Sequence, residues 1–191
     1  MLPDRAARAF PLLLLGLLAG MALLLDRATN LPYFSPPAGS RDPDLTINRF
    51  VATGYGPDGK PLYQLTASGM RHYPHDDHSE FADALLVRTL PGEPTLTINA
   101  EKARITEGGD RVFFEQDVRM HRTAAAGVDA MTLKSSRLQL DITRGLASSD
   151  APADMVSGGN RMRSTGFDYD HPNTRLNLRS NVSLYYAPPQ R

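Results

Sequence analysis

Ile98 and Ala100 keep the two-residue period of a β-strand, and Ala103 and Ile105 keep it again, one residue out of step. A strand with one buried face cannot slip its parity without sending half its apolar side chains to the wrong side. The same slip recurs in "LTASGMRH" (65–72), "INAEKARI" (98–105), "LKSSRLQL" (133–140) and "MRSTGFDY" (162–169). Each reads apolar, any, small, two of any, then apolar. Three of the four close on another apolar residue, and His72 stands in that place in the first copy. The small residue is Ala67, Ala100, Ser135 or Ser164. The copies start at 65, 98, 133 and 162, at intervals of 33, 35 and 29, as stacked supersecondary units do.

A second pattern follows two of the copies. "RVFFEQDVRM" (111–120) aligns without gaps to "RLNLRSNVSL" (175–184), with Asp117 or Asn181 just before the valine. "EGGD" (107–110) and "DHPN" (170–173) stand between motif and partner and are turn formers. The predicted unit is strand, small-residue bend, strand, turn, strand. A bulge at the bend re-registers the strand so that both halves face one interior. The inward parity then runs Ile98, Ala100, Ala103, Ile105, Val112, Phe114, Val118, Met120, Leu133, Leu138, Leu140, Met162, Phe167, Tyr169, Leu176, Leu178, Val182 and Leu184. Two sheets folded face to face would bury these as an ordinary core. They would equally line an apolar groove left partly open.

The amino terminus is of another kind. In "AFPLLLLGLLAGMALLL" (9–25), 14 of 17 residues are apolar, the short end for a bilayer span. Arg5 and Arg8 precede it, which predicts a cytoplasmic amino terminus and export of the remainder. A cleaved signal peptide is the competing reading, although cleavage after Ala22 would leave three leucines on the mature end. Gly16 and Gly20 have the spacing of a close-packing membrane-helix face, a candidate contact with a partner helix. Residues 26–44 carry four prolines and read as a semi-extended tether. The expected organisation is 1–8 cytoplasmic, 9–25 spanning helix, 26–44 tether, 45–187 β-domain and 188–191 tail.

Charge and composition narrow the function. Lys+Arg 21 balances Asp+Glu 21, so no nucleic-acid footprint is indicated. With no cysteine, disulfides, thiolate chemistry and lipoprotein attachment are excluded. "HYPHDDHSE" (72–80) gathers His72, His75, Asp76, Asp77 and His78, which could supply metal ligands. Strand alternation would split them between faces, and a polar hairpin connection explains them as well. No Ser/His/Asp or paired-carboxylate arrangement stands out, so neither an enzyme nor a cofactor is expected.

An apolar amino-terminal run, a proline-rich tether, "YQLTASGMRHYPHDDHSEF" (63–81), "INAEKARITEGGDRVFFEQDVRMHR" (98–122), "LKSSRLQLDI" (133–142) and "LNLRSNVSLYY" (176–186) together resemble the LptC family. The resemblance implies an all-β fold: an open, curved β-jellyroll of antiparallel strands behind one transmembrane helix. It implies a bridge that accepts lipopolysaccharide from an inner-membrane ABC transporter and passes it to LptA. Acyl chains would touch Phe50, Phe81, Ile98, Ala100, Ile105, Phe114, Val118, Leu138, Phe167, Leu178 and Tyr185. LptA would dock on the edge carrying Leu176, Leu178, Val182, Leu184 and Tyr186. Gly16 and Gly20 would lie against LptF and LptG, and 46–53 would face a transporter subunit. Gly158 and Gly159 fall where the family carries a glycine near the substrate path, and a plain turn explains them equally. A scaffold β-protein with a dry core and no ligand is the alternative.

Overall fold

The computed structural model describes residues 4–29, 42–106 and 108–186, with side chains in the amino-terminal helix described for 14–27. Two compact units result, divided between Ser40 and Arg41. The first holds helix α1 (Asp4–Thr29). The second holds nine strands: β1 (Leu45–Tyr55), β2 (Pro61–Tyr73), β3 (His78–Arg88), β4 (Leu96–Thr106), β5 (Arg111–Arg122), β6 (Met131–Asp141), β7 (Leu146–Ser157), β8 (Asn160–Asp170) and β9 (Arg175–Tyr185). The tether expected at 26–44 lies mostly outside the described residues, as does the tail at 188–191.

Helix α1 contains the apolar run. Its leucines from Leu14 to Leu25 are exposed, and nothing lies within 4 Å of the position a side chain would take at Gly16 or Gly20. Among the described residues no helix is long and apolar enough to cross a membrane. At 1.5 Å per residue, the 17-residue run measures about 25 Å against an apolar bilayer core of about 30 Å.

The strands form one antiparallel sheet in the order β1 to β9. Every neighbour is also a neighbour in sequence, so the connectivity is a meander, jellyroll-like only in how the sheet rolls. The sheet does not close, and β1 and β9 are free edges.

The parity slip is a crease crossing the sheet. Left-handed backbone occurs at Arg49 (φ 57°), Asp83 (φ 49°), Gln116 (φ 66°), Asp117 (φ 48°), Gly166 (φ 80°) and Asn181 (φ 49°). Register irregularities fall at Asn99/Lys102, Glu115/Val118, Ser135/Gln139, Ser149/Pro152 and Arg163/Thr165. Pairing aligns these positions strand by strand, so a local bulge becomes one fold line. Ala67, Ala100 and Ser164 are buried beside it, and half-buried Ser135 donates its hydroxyl to the Pro152 carbonyl at 2.9 Å. Small side chains stand there because the two halves of the sheet approach each other along the crease.

The two halves enclose one core. Leu86, Ile98, Val112, Phe114, Val118, Met120, Leu133, Leu140 and Phe167 all have no exposed surface. Each fully buried large apolar side chain contributes about 1.5–3 kcal/mol. Val182 and Leu184 follow the inward parity but are exposed, because β9 is an edge that no further strand covers. Tyr185 does not face inward. Leu184 lies opposite Met162 on the core face, on the same parity as Leu176 and Leu178, so Tyr185 falls opposite Arg161 on the other.

Candidate functional site

Following partners from strand to strand gives one uninterrupted apolar row. Ala52 pairs with Leu65, Leu65 with Leu86, Leu86 with Ile98, and Ile98 with Met120. Met120 pairs with Leu133, Leu133 with Met155, Met155 with Met162, and Met162 with Leu184. The row crosses all nine strands on the inner face. Its middle is sealed, while half-buried Ala52 and exposed Leu184 mark its two ends on the free edges. One residue along, the outer face carries Asn99, Arg119, Lys134, Asp154 and Arg163 as successive partners, and the same row continues through exposed Leu85, half-buried Thr66 and exposed Val51 to β1.

Beyond the crease a second inner row joins Met70, Phe81, Ala103, Phe114 and Leu138. Phe167 and Leu178 pair farther along. Of the residues expected to meet acyl chains, Phe81, Ile98, Ala100, Phe114, Val118, Leu138 and Phe167 are buried together. Phe50, Ile105 and Leu178 pack half-buried against them, and the Phe50 and Phe81 rings lie 5.2 Å apart. Tyr185 alone stands apart, 66% exposed. Of the expected docking residues, Leu176 and Leu178 are half-buried and Val182, Leu184 and Tyr186 exposed.

A buried polar cluster stops one end of this interior, and nothing in the sequence pattern announced it. Arg88 and Arg122, the last residues of β3 and β5, are each 3% exposed, and His171 in the β8–β9 turn is fully enclosed. Arg88 pairs with Glu93, whose Oε2 also stands 3.7 Å from His171 Nε2. Arg122 donates to the Asp129 carbonyl, and Tyr169 Oη lies 3.4 Å from His171 Nδ1. Burial, and then the Arg88 charge, hold the His171 imidazole below its ordinary pKa, against the opposing pull of Glu93. Burial likewise pushes the Tyr169 phenol up to about 12. In the sequence, Arg88 and Arg122 read as routine charges at strand ends. Only the rolling of the sheet brings them beneath a turn some 50 to 80 residues away.

The histidine cluster at 72–80 does not converge. His72 reaches Asp44 at 2.7 Å and Asp77 at 3.3 Å, His75 pairs with Asp76 at 2.7 Å, and His78 stacks on Tyr73. Among the described residues no group of three or more such side chains could hold a metal. The bonds to Asp44 and then Asp77 raise the His72 pKa. Gly158 and Gly159 form the two-residue turn between Ser157 and Asn160, both with positive φ. A Cβ on Gly158 would collide with Asp129.

Comparisons agree with this architecture. The crystal structure of LptH, the LptA-homologous periplasmic component of the lipopolysaccharide transport device of Pseudomonas aeruginosa, superposes with a TM-score of 0.55. The match covers 66% of this chain and 95% of that one at 12% identity, and so shows a shared fold. No curated protein matches the chain. The family model "Lipopolysaccharide-assembly, LptC-related" matches residues 11–187, which include all nine strands. An open creased sheet with an apolar row running from edge to edge is thus the fold of a member of the LptC family, and the chain has its role in lipopolysaccharide transport.

Proposed function

We propose that the chain is a membrane-anchored, non-enzymatic bridge that receives lipopolysaccharide from an inner-membrane ABC transporter and passes it through its creased sheet to an LptA-like partner. The observation that carries this reading is the apolar row from Ala52 to Leu184, which reaches both free edges. A strand added beside β9 would pair its backbone with that edge and extend the row into the next molecule. By the same logic β1, between Thr46 and Thr53, faces a transporter subunit. Acyl chains travel along the inner face while the sugar head stays in water. Entering at the β1 edge, they meet Phe50 and Phe81 first, then Phe114, Leu138 and Phe167 as the halves part, and reach Leu178, Val182 and Leu184 of β9 last.

Helix α1 serves as the anchor, with its amino terminus cytoplasmic and the sheet periplasmic. Its described leucines are exposed, a surface that seeks an apolar environment. Gly16 and Gly20 are open enough for another helix, assigned to LptF or LptG, to approach closely.

The sealed middle of the core favours a second reading, a periplasmic scaffold without a ligand. A photo-reactive side chain in place of Phe114 or Leu178 distinguishes the two. In membranes carrying the transporter it captures lipopolysaccharide if the inner face is the path, whereas one at Glu115 or Arg111 does not. Equal capture at Phe114 and Glu115, or none at either inner position, removes the path and leaves the scaffold.

A further inference from the structure

The outer face of β1–β5 contains a cavity of about 370 Å³. Its origin lies in the pairing register. One outer row runs Asn48, Gly69, Ala82, Lys102 and Glu115 on successive strands, and the next runs Thr46, Arg71, Glu80, Arg104 and Phe113. In the first row Gly69 and Ala82 stand side by side where their neighbours carry long side chains. Two adjacent short positions leave a hollow, and the surrounding side chains form its wall.

The wall has an unusual chemistry for an exposed sheet. Opposite charges face each other across the strands, yet Arg71, Lys102 and Glu115 form no ion pair among the described residues. Among the described residues Arg104 is engaged with the Phe113 ring, 5.5 Å from its centroid. Phe113 is the aromatic residue that the two outer rows contribute, half-buried, and Met70, Phe81 and Ala103 of the inner row also line the cavity. The hollow therefore offers guanidinium and ammonium donors, carboxylate acceptors, a hydroxyl at Thr46, an amide at Asn48 and one apolar wall. Three cations against two carboxylates leave it net positive.

We propose that this cavity binds a hydroxyl-rich ring carrying an acidic group, a phosphorylated or carboxylated sugar. Ring hydroxyls need donors and acceptors at close quarters, which Glu80, Glu115, Asn48 and Thr46 provide around one space. The acidic group takes Lys102 and Arg71. A bare inorganic anion would leave the carboxylates and Phe113 without a role, and a purely apolar ligand would strand the charges. Its charged side chains lie on the outward parity, opposite to the face that carries the apolar row from Ala52 to Leu184.

The test uses the full-length chain in detergent micelles, observed by amide NMR during titration with glucose 6-phosphate, glucose and inorganic phosphate. Glucose 6-phosphate should shift Gly69, Lys102 and Phe113 saturably and more tightly than the other two probes. Ala82→Leu fills the hollow while leaving every charge in place, and should weaken binding by about tenfold or more. Because Ala82 is exposed, an otherwise unchanged spectrum serves as the folding control. Lys102→Gln should weaken glucose 6-phosphate while leaving glucose nearly unaffected. The proposal is overturned if inorganic phosphate shifts the same amides equally well, if binding survives Ala82→Leu unchanged, or if no probe gives saturable shifts.

Discussion

His171 Nε2 stands 3.7 Å from Glu93 Oε2, joining the β8–β9 turn to the β3–β4 loop across the closed end of the roll. The imidazole is fully enclosed, with the Arg88 and Arg122 guanidinium groups also close enough to disfavour its protonation. Its folded-state pKa lies below the ordinary 6.5, so the unfolded chain takes up the proton more readily. The stability this provides is complete above pH 6.5 and is lost as pH falls from there toward the depressed value. Melting temperature should therefore drop between pH 7 and pH 5, and His171→Gln should flatten that part of the profile. His72 has the opposite sign: its pKa is raised, so its contribution is complete below 6.5 and fades as pH rises through the raised value. A melting profile in which His171→Gln leaves the acid slope untouched would contradict this assignment.

Glu93 is the carboxylate that balances the buried Arg88. Glu93→Gln keeps its shape and removes its charge, leaving a 3% exposed guanidinium uncompensated. Since Glu93 is itself partly open to water, the expected loss in denaturant titration is roughly 2–4 kcal/mol. Arg88→Met combined with Glu93→Gln should recover most of that loss, because no buried charge is then left alone. A double variant as unstable as Glu93→Gln would mean that packing, not charge, controls the site.

The crease depends on left-handed backbone at Gly166 and Asn181. At Gly166 a Cβ would sit 3.2 Å from the Ser149 carbonyl oxygen and 3.0 Å from Arg179 Cδ. Gly166→Ala should cost about 1–2 kcal/mol from the backbone alone. Asn181→Val should lose a similar amount, whereas Asn181→Gly should be nearly neutral. Thermal unfolding of the three variants checks the ranking.

The β9 edge has few defences against pairing: Arg179 is its only charge after Arg175, and that guanidinium is bound to Asp168. Val182→Pro places a ring and removes a donor on an exposed part of the strand, which blocks an added strand. Capture of LptA by the full-length protein should fall at least about tenfold, with circular dichroism unchanged. Val182→Thr preserves the backbone and should retain most of the binding. A folded proline variant that holds LptA as firmly as before would place the docking edge elsewhere.

Much of this protein was legible in its sequence because the sheet is a meander. When each strand pairs with its sequence neighbours, parity and turn positions suffice to assign the inner face. The four repeated motifs mark β2, β4, β6 and β8, and the alternating residues from Ile98 to Leu178 reach the core or its margin. Asp117 and Asn181 were visible before their valines, and both adopt the left-handed backbone of the crease. Tertiary structure decided what depends on contacts between distant strands. Tyr185 is not among these: Leu176, Leu178, Val182 and Leu184 share one parity, so alternation already turns Tyr185 outward. Val182 and Leu184 are inward yet exposed, because burial requires a covering strand and parity cannot supply one. Arg88, Glu93, Arg122 and His171 met only when the sheet rolled and brought the ends of β3 and β5 beneath the β8–β9 turn. The outer hollow arose because Gly69 and Ala82, 13 positions apart in the chain, are direct partners across β2 and β3. Local alternation determines which way a side chain points; pairing and rolling determine what it meets there.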